Sequence, residues 1–258
     1  MPIALAHDLS PAGSSGRTVA LLGALGSHRS MWFALATSLG RRGLRTIAID
    51  LRGLGDSSVL PGPYSIPALA EDVLFTLALE QLDVVDLVGI SLGGAVSQQI
   101  AISAPGRVRT LALLSTPVRF GNRPAWLDRA TEVRLKGTAD LAEGIGGRWV
   151  TQEFVRADPM VFEQLRQMVR KTKPEGYAGN AEALADWEPG AALGTIGAPT
   201  LVLGGANDPS VSPDALALTA AAIPGARHMT IANAAHLIAV EQPNDVAERL
   251  AEHILGRG

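Results

Sequence analysis

Short apolar runs rich in leucine and β-branched residues recur along the chain at 18–22, 45–49, 84–88, 108–114, 200–203 and 227–231, bounded by glycine, proline or aspartate. Continuous apolar runs of this length predict strands buried on both faces. The segments between them, 30–39, 66–82, 92–104, 213–223 and 243–255, have helical length and amphipathic spacing. Two open with good helix starts, Ser212-Pro213-Asp214 and Gln242-Pro243-Asn244-Asp245, where proline suits the first turn and a small polar residue can cap free N–H groups. Alternating strands and helices imply parallel strands joined by right-handed crossovers. The fold class expected is therefore α/β, a doubly wound, mostly parallel sheet.

One stretch departs from the alternation. Over 118–190 there is no convincing strand, only helical patterns at 125–136, 159–171 and 179–187, punctuated by Gly137, Gly144, Gly146, Gly147, Pro159 and Pro174. It reads as a helical lid inserted into a core made of 1–117 and 191–258. Three of the four tryptophans, Trp126, Trp149 and Trp187, fall within it.

Composition narrows the function classes. The 258 residues suffice for one large domain, and 47% hydrophobic residues with only 4% aromatics point to an aliphatic core. Basic and acidic residues nearly balance, 22 against 25, so no electrostatic footprint for nucleic acid or an anionic membrane is expected. With no cysteine there can be no disulfide, thiolate metal site or cysteine nucleophile. The opening MPIALAHDLSPAGSSG lacks the basic lead and apolar run of a secretory signal, and no stretch approaches about 18 uninterrupted apolar residues. A cytoplasmic enzyme is the default expectation.

The sharpest chemical signal is Gly89-Ile90-Ser91-Leu92-Gly93, placed directly after a predicted strand and before a predicted helix. That context is a nucleophile elbow, in which small residues two positions either side of the serine let the chain turn sharply. A serine hydroxyl needs a base to take its proton. Of five histidines, His7, His28, His228 and His253 need no more than a structural role, whereas His236 follows the last strand at the carboxyl edge where Ser91 should emerge. The acid that orients such a histidine is expected between serine and base, and Asp208, after the strand at 200–203, has that address. Asp50 and Asp56 precede the serine and read as loop scaffolding. The N–H groups of Leu92 and of Leu25, in the glycine-rich loop after the first predicted strand, are the candidates for an oxyanion hole. No metal or organic cofactor is required.

This constellation resembles the α/β-hydrolase family across nearly the whole chain. More narrowly it is similar to the 3-oxoadipate enol-lactonases of aromatic-acid catabolism. The stretches carrying that resemblance are Leu25-Gly26 with Ser30-Met31-Trp32, Gly62-Pro63-Tyr64-Ser65-Ile66, Trp126-Leu127-Asp128-Arg129 with Arg134, Arg148-Trp149-Val150-Thr151, and Pro174-Glu175-Gly176-Tyr177-Ala178-Gly179-Asn180. Two departures accompany them. Gly23-Ala24 stand where many members carry His-Gly, and the segment before Thr18 is short, so the first strand is expected to be reduced or missing.

The resemblance implies a substrate that is an unsaturated five-membered lactone bearing an acetate side chain, a small-molecule partner with a carboxylate beside its reacting carbonyl. Arg129 and Arg134 match family arginines and become the candidates for the carboxylate contact, since a guanidinium can donate two parallel hydrogen bonds. Trp126 and Trp149 would wall an apolar slot. Charge count alone gives no help, because 118–190 holds eleven basic and eleven acidic residues. A carboxylesterase, another lactonase or a perhydrolase would use the same core residues, and a non-catalytic ligand sensor could keep them. Oligomeric state is left open.

Overall fold

The computed structural model describes residues 1–256. Its centre is a seven-stranded sheet made of β1 (His7–Leu9), β2 (Thr18–Leu22), β3 (Arg45–Ile49), β4 (Val85–Ile90), β5 (Val108–Leu114), β6 (Thr200–Gly205) and β7 (Arg227–Ile231). The spatial order is β1-β3-β2-β4-β5-β6-β7, with every neighbouring pair parallel except β1 against β3. Strand order reverses about β2, so β4 and its following turn lie centrally.

The apolar runs of β2 to β6 become buried strands because each of these strands feeds two cores. Ala20 and Leu22 point into one, Val19 and Leu21 into the other. The first core is covered by α2 (Ile66–Leu79), α3 (Leu92–Ser103) and a later helix, Pro213–Ala221; the second by α1 (Phe33–Gly40) and the C-terminal helix Pro243–Leu255. Leu69, Val96 and Leu216 represent the first face, Leu35 and Leu250 the second.

Between β5 and β6 the chain runs through α4 (Arg123–Lys136), α5 (Ala139–Glu143), α6 (Gln152–Ala157), α7 (Pro159–Lys171) and α8 (Pro174–Ala185). The helices of 6 residues or fewer, α5 and α6, carry too little periodicity to be read from sequence. The remaining helices are α9 (Pro213–Ala221), α10 (Ile238–Glu241) and α11 (Pro243–Leu255).

One strand expectation is met and one needs correction. β1, expected to be reduced or missing, is present in reduced form, a three-residue antiparallel edge strand pairing His7 with Ile49 and Leu9 with Ile47. It was illegible because its burial comes from one neighbour rather than from an apolar run. β7, expected to be buried on both faces, is the opposite edge, with Arg227, Met229 and Thr230 exposed. No helix among the described residues is long and apolar enough to cross a membrane.

Candidate active site

The turn between β4 and α3 holds Ser91 at φ 55° and ψ −114°. Such a conformation costs a non-glycine residue roughly 1–3 kcal/mol and persists only where the surroundings over-determine it. The Ser91 N–H is shared between the Leu114 carbonyl and Thr116 Oγ1, each at 3.0 Å. Glycine is required on both sides. A Cβ on Gly89 would stand 2.2 Å from the Gly93 carbonyl oxygen, and one on Gly93 would stand 2.1 Å from that of Leu22. That close approach presses the start of α3 onto the end of β2, and the Gly93 N–H donates to the Gly23 carbonyl at 3.0 Å. The elbow and the loop after β2 are thereby joined.

The same sheet edge carries Asp208 and His236. Asp208, in the loop after β6, is buried, and its Oδ1 accepts the N–H groups of Ser210 and Val211 at 2.7 and 3.1 Å. Its Oδ2 accepts from His236 Nδ1–H at 2.7 Å. The His236 carbonyl in turn accepts from Ser115 Oγ–H at 2.7 Å. With Nδ1 engaged, Nε2 is the ring nitrogen left to exchange protons. Ser91 and His236 line one cavity of about 400 Å³, together with Leu25. No acceptor among the described residues takes the N–H of Leu25 or Leu92. For Leu92 this follows from its place as the first residue of α3, where a helix leaves its donors open.

Residues of the helical segment line the same cavity. Arg129 on α4 lies 5.4 Å from the centre of the Trp126 ring, a cation–π contact, and Trp126 Nε1–H is anchored on the Phe120 carbonyl at 2.6 Å. Next to Arg129 the Tyr177 phenol is buried, which pushes its pKa up even though the Arg129 charge pulls the other way. Trp149 and Arg148 form another part of the wall, Trp149 half-buried and Arg148 exposed at the rim. Neither Arg129 nor Arg148 makes an ion pair with a carboxylate among the described residues, whereas Arg119, also on the lining, lies 3.5 Å from Glu188.

One sequence candidate is not brought to the site. The Arg134 guanidinium is engaged by Glu175 and Glu182, tying α4 to α8, and it does not line the cavity. Spacing could not separate it from Arg129, because the two differ by five residues and so face different directions on one helix. Arg148 and Tyr177 take their places in the cavity instead. Both stood in stretches carrying the family resemblance, beside Trp149 and Glu175, but nothing local distinguished them as cavity residues.

The other polar candidates are structural. Asp50 accepts the N–H groups of Arg29 and Asp56 and pairs with the Arg29 guanidinium, which also meets Asp56 at 2.8 Å. His253 contacts the Leu111 carbonyl through Nε2, and burial lowers its pKa; His228 is lowered for the same reason. Among the described residues no group of three His, Asp or Glu side chains gathers to hold a metal ion.

Comparison with known proteins agrees with this geometry. Residues 18–243 match the family model for the alpha/beta hydrolase fold. The chain is 35% identical over 185 residues to 3-oxoadipate enol-lactonase 2 of Acinetobacter baylyi, covering 72% of this chain and 69% of that protein. Among solved structures, the enol-lactonase from Burkholderia xenovorans LB400 superposes with a TM-score of 0.92 at 28% identity, covering 97% of this chain and 96% of the other. A thermophilic esterase from Thermogutta terrifontis, in a malate-bound structure, gives 0.91 at 30% identity, with 98% and 93% covered. The chain therefore belongs to the α/β-hydrolase family, and its similarity is to ester and lactone hydrolases within it.

Proposed function

We propose that the protein hydrolyses a small lactone or ester carrying a carboxylate, with 3-oxoadipate enol-lactone as the best-supported substrate. The observation that carries this is the pair of guanidinium groups without carboxylate partners, Arg129 and Arg148, on the cavity that also holds Ser91 and His236. A cation left without an anionic partner beside a nucleophile is placed to receive an anion. The similarity to two enol-lactonases supports the lactone, and the malate in the Thermogutta esterase supports an acidic ligand in this fold.

In this reading His236 Nε2 takes the Ser91 proton as Oγ attacks the lactone carbonyl, and Asp208 holds the imidazole in the required tautomer. The N–H groups of Leu25 and Leu92 receive the charge that develops on the carbonyl oxygen. The ring C–O bond breaks and His236 gives the proton to the departing enol oxygen. Because that leaving group stays tethered to the acyl chain, water must hydrolyse the acyl-enzyme before the ring recloses. Water adds to the acyl carbon as His236 takes its proton, the bond from that carbon to Ser91 Oγ breaks as His236 returns the proton to Oγ, and the released enol becomes a ketone.

The test is a panel of the enol-lactone, saturated lactones and neutral p-nitrophenyl esters on the purified protein. A strong preference in kcat/KM for the acidic enol-lactone is the expected result. Equal turnover of neutral esters would reject a carboxylate-reading site and leave a general carboxylesterase.

A further inference from the structure

Glu241, the last residue of α10, is buried at 8% exposure and belongs to no ion pair among the described residues. Its carboxylate is held by neutral donors. Oε1 accepts both the N–H and the hydroxyl of Thr151, each at 2.7 Å, and Oε2 accepts the N–H of Ala235. Ala235 directly precedes His236, and Thr151 follows the Arg148-Trp149 wall of the cavity. The two segments also meet through their backbones, His236 N–H donating to the Arg148 carbonyl at 3.3 Å and Leu237 N–H to that of Trp149 at 2.7 Å. Thr151 Oγ1 in addition caps α6 by accepting the Phe154 N–H at 3.1 Å. On the far side of the wall, the Trp149 ring approaches Gly26, in the loop that presents Leu25; a Cβ built there would lie 3.8 Å from it.

A buried carboxylate without a cation is costly to maintain, and a fold needing only a spacer here would do as well with an apolar side chain. What this position demands is two acceptor oxygens facing opposite ways, one to the histidine loop and one to the cavity wall. Glutamate supplies both; glutamine supplies one and turns an NH2 toward a donor. We infer that Glu241 is a positioning residue that clamps the His236 loop to the Arg148–Trp149 wall, so that the general base and one side of the substrate cavity keep a common geometry. The inference rests on the reading of His236 as the base. It assigns Glu241 no contact with substrate.

The test compares Glu241→Gln with the wild-type chain on a p-nitrophenyl ester and on a carboxylate-bearing ester, at a temperature where circular dichroism shows both fully folded. Small displacements of catalytic groups cost as much as about 100-fold in rate, so a fall in kcat of about tenfold or more is expected, with a rise in KM for the acidic ester. The downfield proton resonance of the His236–Asp208 hydrogen bond should broaden or shift. A folded Glu241→Gln variant with unchanged kcat, KM and resonance would overturn the clamp, whatever its melting temperature. Should that variant fail to fold, Thr151→Ala and Thr151→Ser decide. A loss of several-fold in kcat for Thr151→Ala, restored by Thr151→Ser, supports the inference, and kinetic constants equal to wild type in Thr151→Ala reject it. If His236→Ala retains full hydrolysis, the assignment of the base fails instead, while the proton resonance in the Glu241→Gln variant still reports on the clamp.

Discussion

Replacing Arg129 separates a carboxylate-reading cavity from a merely apolar one. The guanidinium is half-buried between the Trp126 ring and Tyr177, without a carboxylate partner among the described residues. A hydrogen bond to a charged group at such a position is worth about 1.5–3 kcal/mol, which at 1.36 kcal/mol per decade is roughly 10- to 150-fold in kcat/KM. Arg129→Ala should therefore lower kcat/KM for a carboxylate-bearing lactone or ester by that factor. A neutral ester of the same size loses only the packing over Trp126, a change of a few-fold. Arg129→Lys should fall between, because an ammonium keeps the charge but cannot form the planar two-point contact. Arg148 is exposed at the rim, where solvent and salt screen it, and its replacement by alanine should cost about 1 kcal/mol or less. The assay is steady-state kinetics on a matched pair of acidic and neutral esters for the three variants. Equal losses on both substrates in Arg129→Ala would refute the reasoning, since the side chain would then serve the shape of the cavity and not the charge of the ligand.

Three further outcomes follow from the same geometry. Ser91→Ala should lower turnover by roughly three orders of magnitude or more with an unchanged circular dichroism spectrum; near-normal activity would remove Ser91 from the chemistry. Gly93→Ala places a Cβ 2.1 Å from the Leu22 carbonyl oxygen, backbone that cannot swing aside, so denaturant unfolding should report a loss on the order of 1–3 kcal/mol or more, and wild-type stability would contradict the close approach described. Glu175 has its pKa held below the usual carboxylate range, chiefly by its hydrogen bonds from Arg134. Because its folded value lies below the unfolded one, the stabilisation is complete above the unfolded pKa of about 4.3 and is lost as pH falls through the lower folded value. The difference in melting temperature between wild type and Glu175→Gln should therefore be constant near neutrality and close in acid; a difference independent of pH would show that the pair contributes nothing through charge.

Much of the core was legible because its determinants are local in sequence. The runs at 18–22, 45–49 and 108–114 coincide with β2, β3 and β5, and Pro243–Leu255 was readable from its opening proline and its apolar spacing. The elbow was readable for a related reason, since a turn that forbids a Cβ at Gly89 and Gly93 leaves its mark in the residues themselves. β1 and the true position of β7 were not legible. Whether a strand lies at an edge depends on which strands come to pair beside it, and three residues such as His7–Leu9 carry no periodicity of their own.

The sequence by itself determined the chemistry available: a serine on a sharp turn, with an acid and a histidine following later strands in the order that brings them to one edge of the sheet. Only the tertiary structure decided the surroundings. Arg129 and Arg134 share one helix and one chemistry, yet the first faces the cavity and the second is taken up by Glu175 and Glu182. Arg148 and Tyr177 enter the cavity, and Glu241 joins the histidine loop to its wall, through contacts between segments far apart in the chain, such as the bond from Glu241 to Thr151. Local periodicity sets which face of an element is apolar, but the partner a polar side chain meets depends on how the helical segment docks across the sheet, and that docking is a property of the assembled fold.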